Sequence, residues 1–160
     1  MSGAHVPRID LEFAPDVAQI SLVRTLVARI YQSSGAEMAD RLGLAVHELL
    51  ENALKYAAEG LTHLSIEGGQ GPGGDHIQVR VTNRSTTEHM SAACRLVDEL
   101  AAAPDAQVIY QRVMRRNAGR LEGSGLGLAR ISAEGDMALD YQVDGDRLSV
   151  TARARTGEFV

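Results

Sequence analysis

The sequence predicts an α+β two-layer sandwich: a mixed, mostly antiparallel sheet of about five strands with helices packed on one face. Three observations lead there. Stretches that alternate polar and apolar residues are interleaved with stretches of helical period, in the order βα-α-ββ-αα-α-ββ. The chain has no Trp and 4% aromatics against 44% hydrophobic residues, so Leu, Val, Ile and Ala must fill its core, which favours helices over an aromatic-rich β-sandwich. Its 160 residues suffice for one sizeable core and nothing divides them, so residues 1–160 read as a single domain.

The elements follow in order. Residues 8–13 alternate, with Ile9, Leu11 and Phe13 inward, as in an edge strand. Pro15 and Asp16 open a helix in which Val17, Ile20, Val23, Val27, Ile30 and Tyr31 recur at helical spacing up to Ser33-Ser34-Gly35. A second helix runs from Glu37 to Ala58 and stops at Gly60, which tolerates positive φ. Residues 61–67 and 76–82 are strands, and the glycine-rich stretch 68–75 between them predicts a mobile hairpin loop. That loop is a connector and not a Walker phosphate loop, because no Gly-Lys-Ser/Thr follows. Helical patterns span 88–102 and 105–116, with Pro104 as the break and Asn117-Ala-Gly119 as the exit. A last helix covers 126–134 and ends at Gly135, and strands 139–143 and 148–154 flank Asp144-Gly145, a two-residue hairpin signal.

Two stretches carry chemistry. In Ala45–Ala57, Glu48, Asn52 and Lys55 fall within an arc of roughly 60° over about two turns, so a carboxylate, an amide and an ammonium line one edge of the apolar stripe of Leu42, Ala45, Val46, Leu49, Ala53 and Tyr56. That row suits a metal-phosphate ligand, or else is the solvated flank of an amphipathic helix. Leu121 to Ile131 is a glycine-rich loop entering a helical pattern, which offers backbone N–H groups and a helix start to an anion. Glu48 and Gly123 stand 75 positions apart.

With the two stretches in this order, the chain resembles the GHKL ATPase superfamily, which includes histidine-kinase catalytic domains, DNA gyrase, heat-shock ATPases and the small anti-sigma-factor serine kinases. Glu48, Asn52 and Lys55 match its N box, and Gly123, Gly125, Gly127 and Leu128 match its Gly-x-Gly-Leu-Gly-Leu box, with Ser124 and Leu126 between them. The resemblance covers residues 8 to 155 and implies the Bergerat ATP-binding fold. It implies ATP and Mg²⁺ as cofactors, Glu48 as general base, Asn52 as the protein ligand of Mg²⁺, and Lys55 with residues Gly123 to Leu128 as the phosphate site. One departure is large. Where the family has Asp-x-Gly-x-Gly, whose Asp binds the adenine amino group, this chain has Asn83 with Ser85 and Thr87 in place of the glycines. An amide oxygen still accepts a hydrogen bond from an amine, without the charge that roughly doubles its strength. The segment between the boxes is the family's ATP lid, and it carries Arg112, Arg115 and Arg116, read as solvated helix-end residues or as phosphate contacts.

The resemblance implies a bacterial signalling protein: a serine/threonine kinase of the anti-sigma-factor type acting on a small regulatory partner, of the anti-sigma-antagonist kind. A sigma factor and a second copy of the chain are further partners it leaves open. The alternative is a degenerate GHKL switch that sequesters its partner without phosphoryl transfer. The chain has no room for a histidine-kinase dimerisation helix pair. A formal charge of −5, from 21 acidic and 16 basic residues, argues against nucleic acid. No apolar run nears the ~18 residues of a membrane span, and no signal-peptide pattern opens the chain, so a cytoplasmic location is expected. The single cysteine, Cys94, excludes an internal disulfide and a multi-cysteine zinc site, and reads as a passive core or boundary residue. His47 is a surface or packing residue, since Glu51 stands where a zinc-protease motif needs its second His.

Overall fold

A computed structural model of the protein describes residues 5–71, 74–116 and 126–156. It is the expected α+β sandwich, with strands β1 (Ile9–Phe13), β2 (Thr62–Gly71), β3 (Gly74–Arg84), β4 (Ala138–Asp144) and β5 (Arg147–Arg155) and helices α1 (Val17–Ile30), α2 (Ala36–Tyr56), α3 (Thr87–Ala102), α4 (Ala106–Arg116) and α5 (Leu126–Ala133). The strands form one sheet in the order β1-β2-β3-β5-β4. Every pairing is antiparallel, where a mixed sheet was expected. The physical reason is the position of β5. Strands β3 and β4 run in the same direction, but β5 returns from β4 by a tight turn and inserts between them.

Alternation decides which face of the sheet is buried. Leu64 and Ile66 of β2 lie opposite Val81 and Val79 of β3, which pair in turn with Val150 and Ala152 of β5. All six are buried and meet Leu42, Val46, Leu49 and Leu50 of α2 in one core. The opposite face is a polar ladder, in which Arg80 Nε donates to Thr151 Oγ1 (3.1 Å) and Thr82 and Ser149 share a hydroxyl hydrogen bond (2.7 Å). One apolar and one polar face is the arrangement that antiparallel sheets permit.

Helix starts follow their caps. The Asp16 carboxylate accepts from the N–H of Gln19 (2.7 Å) at the start of α1, and the Thr86 hydroxyl accepts from the N–H of His89 (3.4 Å) at the start of α3. Helix α1 tightens into a 3-10 turn, Tyr31–Ser34, and Gly35 reverses the chain at φ 104°. Of the apolar residues recurring along this helix, Val17 is exposed in the first turn, while Ile20, Val23 and Val27 are buried.

Three boundaries differ from expectation. Helix α2 ends at Tyr56 and not Ala58, because Ala57 is extended and bridges Ser85 while the N–H of Ala58 donates to the Arg84 carbonyl (2.8 Å). The glycine-rich stretch after Glu67 is not an eight-residue loop, since β2 and β3 stay paired out to Gly71↔Gly74. Its glycines admit neighbours: a Cβ on Gly68 would lie 3.0 Å from Val6, and one on Gly69 would lie 2.9 Å from His76. The last hairpin turns at Gly145-Asp146, one residue later than the expected Asp144-Gly145, with positive φ (62°) at Gly145. Among the described residues, no helix is long and apolar enough to cross a membrane.

Candidate functional site

Where α2, α3 and the ends of β3 and β5 converge, a cavity of about 380 Å³ opens. That lies within the roughly 300–1,000 Å³ of small-molecule sites. Asn52 and Tyr56 line it from α2, Asn83 and Ser85 from the end of β3, His89, Arg95, Leu96 and Glu99 from α3, Arg116 from the end of α4, and Leu128 and Leu148 from α5 and β5. Amides therefore stand on two elements, apolar walls on three, and two arginines lie on α3 and α4.

Local structure fixes each of these. Asn52 is half-buried on the flank of α2, and Asn83 is the last buried residue in the inward row of β3 after Ile77, Val79 and Val81. The Asn83 amide nitrogen donates to the Arg84 carbonyl (3.0 Å), so its oxygen is the acceptor it has to offer. Arg84 locks the surroundings: its guanidinium donates to Asp146 Oδ2 (2.8 Å) and to the Glu59 carbonyl (3.3 Å), tying the end of β3 to the last hairpin and to the exit of α2. This ion pair holds the Asp146 carboxyl below its ordinary pKa. The segment after Asn83 is no glycine loop but the approach to a capped helix, which is what Ser85, Thr86 and Thr87 encode. The rings of Tyr56 and His89 meet at a tilt of 40°, their centroids 4.4 Å apart, in the wall. Glu99 and Arg116 pair at 3.8 Å, and Glu99 Oε2 is buried without a hydrogen bond.

The polar row of α2 does not act as one surface. Asn52 faces the cavity; Lys55 is exposed and outside its lining. Glu48 is buried and also outside the lining; its Oε1 accepts from Arg130 Nη1 of α5 at 3.0 Å. Helix α5 crosses at this point so closely that a Cβ on Gly127 would lie 2.4 Å from Glu48 Oε2. The roughly 60° arc is thus divided, one end covered by α5 and the other open to solvent. Of the second box, Leu126 packs against the core edge, Gly127 against Glu48 and Leu128 into the cavity wall, while Gly123, Ser124 and Gly125 lie outside the described residues.

Of the lid arginines, Arg116 lines the cavity, Arg112 lines a separate apolar groove with Val108 and Ile109, and Arg115 is exposed. Sequence reasoning missed Arg84, His89, Arg95, Glu99 and Arg130. Only Arg130 left a signal, standing three residues after Gly127 and so on the same helix face. His47 pairs with Glu51 one turn on (3.3 Å), and Cys94 is a half-buried free thiol on α3, both away from the cavity lining. Among the described residues, no group of three or more His, Cys, Asp or Glu could hold a metal.

No family model and no curated protein matches the chain. Among solved structures, the crystal structure of the SiaB-SiaC complex from Pseudomonas aeruginosa contains a chain similar to this one, with a TM-score of 0.63 and 17% identity over 91% of this chain and 88% of that chain. The likeness is one of fold.

Proposed function

We propose that this protein is an adenine-nucleotide-binding regulator of the GHKL type, which transfers the γ-phosphoryl group of ATP to a Ser or Thr of a small protein partner. One observation carries the reading: Asn52 of the first box, Asn83 at the strand end and Leu128 of the glycine-rich box, far apart in sequence, line the same cavity. The donor set fits Mg-ATP. Leu96, Leu128 and Leu148 offer apolar surface to a base, and the Asn83 oxygen can accept from an exocyclic amine. Glu99 lines the same space and, on yielding its ion pair with Arg116, could accept from a sugar hydroxyl, while Arg116 carries charge suited to phosphate. Asn52 would hold Mg²⁺, and exposed Lys55, on the same helix, would add positive charge from the solvent side.

Bound Mg-ATP would supply the phosphoryl group and part of its counter-charge. The chain supplies position and electrostatics, which dominate phosphoryl transfer. Glu48 would take the proton of the partner's hydroxyl as its oxygen bonds to the γ-phosphorus, while the bond from that phosphorus to the bridging oxygen breaks and ADP leaves. A protein with this fold in a two-protein complex, SiaB with SiaC, supports a reading in which the acceptor arrives on a second protein.

The second reading is a switch that binds a partner and does no chemistry. It is favoured by Glu48, which is buried, engaged by Arg130 and outside the cavity lining. Labelled ATP and lysate from the source organism separate the two. Transfer predicts a newly labelled small protein with wild type and a loss of about 10²- to 10⁴-fold with Glu48→Gln, whose ATP binding stays intact. ATP binding without label, or equal label with Glu48→Gln, would establish the switch or remove Glu48 from the chemistry, respectively.

A further inference from the structure

Arg130 stands between two carboxylates. Its Nη1 donates to buried Glu48 at 3.0 Å, while its Nε lies 3.7 Å from Oε2 of Glu134, one turn further on. The second contact is an ion pair without a hydrogen bond, and the buried Nε is unsatisfied. The guanidinium is a planar fork on a rotatable stem, so a small turn of the side chain would bring Nε within hydrogen-bond distance of Glu134. Glu134 does not stand free: Tyr110 of α4 donates to its Oε1 (3.2 Å) and also lies beside the Arg130 guanidinium, and Gln107 of α4 donates to the Ala133 carbonyl (3.0 Å). Residues of α4 thus hold the end of α5 where Glu134 waits one turn from Arg130. The same helix carries Arg116 into the cavity wall.

We propose that Arg130 is a positioning residue governed by α4, which holds Glu48 inside the domain in the arrangement seen and releases it by exchanging to Glu134 when α4 moves. The proposal rests on the reading of Glu48 as the base. Gly127 makes the held state possible, because any side chain there would occupy the space of the carboxylate. Release leaves a buried carboxylate without its cation, so it must be coupled to something that engages Glu48 in turn. A partner hydroxyl arriving over α4 has that chemistry. A base neutralised by its cation before docking, and freed of that cation after it, then follow from a single guanidinium with two seats.

The exchange is read directly from the Arg130 Nε–H signal in ¹⁵N NMR of wild type, Glu48→Gln, Glu134→Gln and the double variant. Glu48→Gln should move Arg130 onto Glu134, shifting the Nε–H downfield and slowing its exchange with water. The double variant should lose both changes. A Nε–H unchanged by Glu48→Gln overturns the exchange, whether or not nucleotide binds. Phosphate release from Mg-ATP adds a functional arm: Arg130→Gln should raise basal turnover about threefold or more and Glu134→Gln should lower it, with KM for ATP unchanged in both. Losses in both variants, with calorimetric ATP binding intact, make Arg130 a structural residue only. Absence of ATP binding in wild type sinks the nucleotide reading instead, and the Nε–H comparison still decides the exchange.

Discussion

At Gly127 one added methyl would meet the Glu48 carboxylate at 2.4 Å, so the closeness of α5 to α2 depends on the smallest residue of the glycine-rich box. Gly127→Ala is expected to cost about 1–3 kcal/mol by overpacking. Urea unfolding checks this, and a change within about 0.5 kcal/mol would mean that α5 yields freely. Asn83 supports a second prediction. Asn83→Asp places a charged acceptor where an adenine amine would bind, but it also sets a carboxylate against the Arg84 carbonyl that the amide nitrogen now satisfies. The variant should therefore melt below wild type when ligand-free and show a larger stabilisation by Mg-ATP. A smaller ligand shift than wild type would remove Asn83 from the base site. That Asn52 and Asn83 line one cavity could be anticipated from the sequence, for Asn52 because helical spacing fixes which way it faces and for Asn83 because the resemblance sets it in the place of the family's Asp. The tie between Glu48 and Arg130 was not, since a contact across 82 positions depends on how α5 crosses α2.

Among the elements, the turn after α1 is secured by Tyr31, fully buried with its hydroxyl donating to the Pro7 carbonyl at 2.5 Å. Burial pushes this phenol from its ordinary 10.0 up to about 12. The folded state keeps the proton that the unfolded chain gives up. The contribution is therefore full below pH about 10 and is lost as pH rises toward about 12. Urea midpoints should fall for wild type across that interval, and Tyr31→Phe should lack this component after an initial loss of about 1 kcal/mol at neutral pH. Parallel pH profiles for the two proteins would contradict it. Element order and most boundaries were legible from period alone. The glycine stretch after Glu67 was not, because glycine marks flexibility and close approach alike, and only the packing of Val6 and His76 against Gly68 and Gly69 tells them apart.

At the scale of the molecule, one helical layer covers the apolar face of the sheet, and the cavity lies at one end of it, where strand ends meet α2, α3 and α5. The two-layer class was legible because hydrophobic period distinguishes one buried sheet face from two. The fully antiparallel order was not, since inserting β5 between β3 and β4 is a choice of topology that local pattern does not record. The architecture sets residues as far apart in sequence as Asn52 and Leu148 around one space, and the proposed binding of adenine nucleotide there is what everything further depends on. Calorimetry with ATP, with and without Mg²⁺, on wild type and Asn52→Ala tests it most directly. Saturable heat is expected for wild type with Mg²⁺, falling away without the metal or the Asn52 amide. No heat at about millimolar protein and ligand, or equal metal-dependent binding by Asn52→Ala, would contradict nucleotide binding at this cavity.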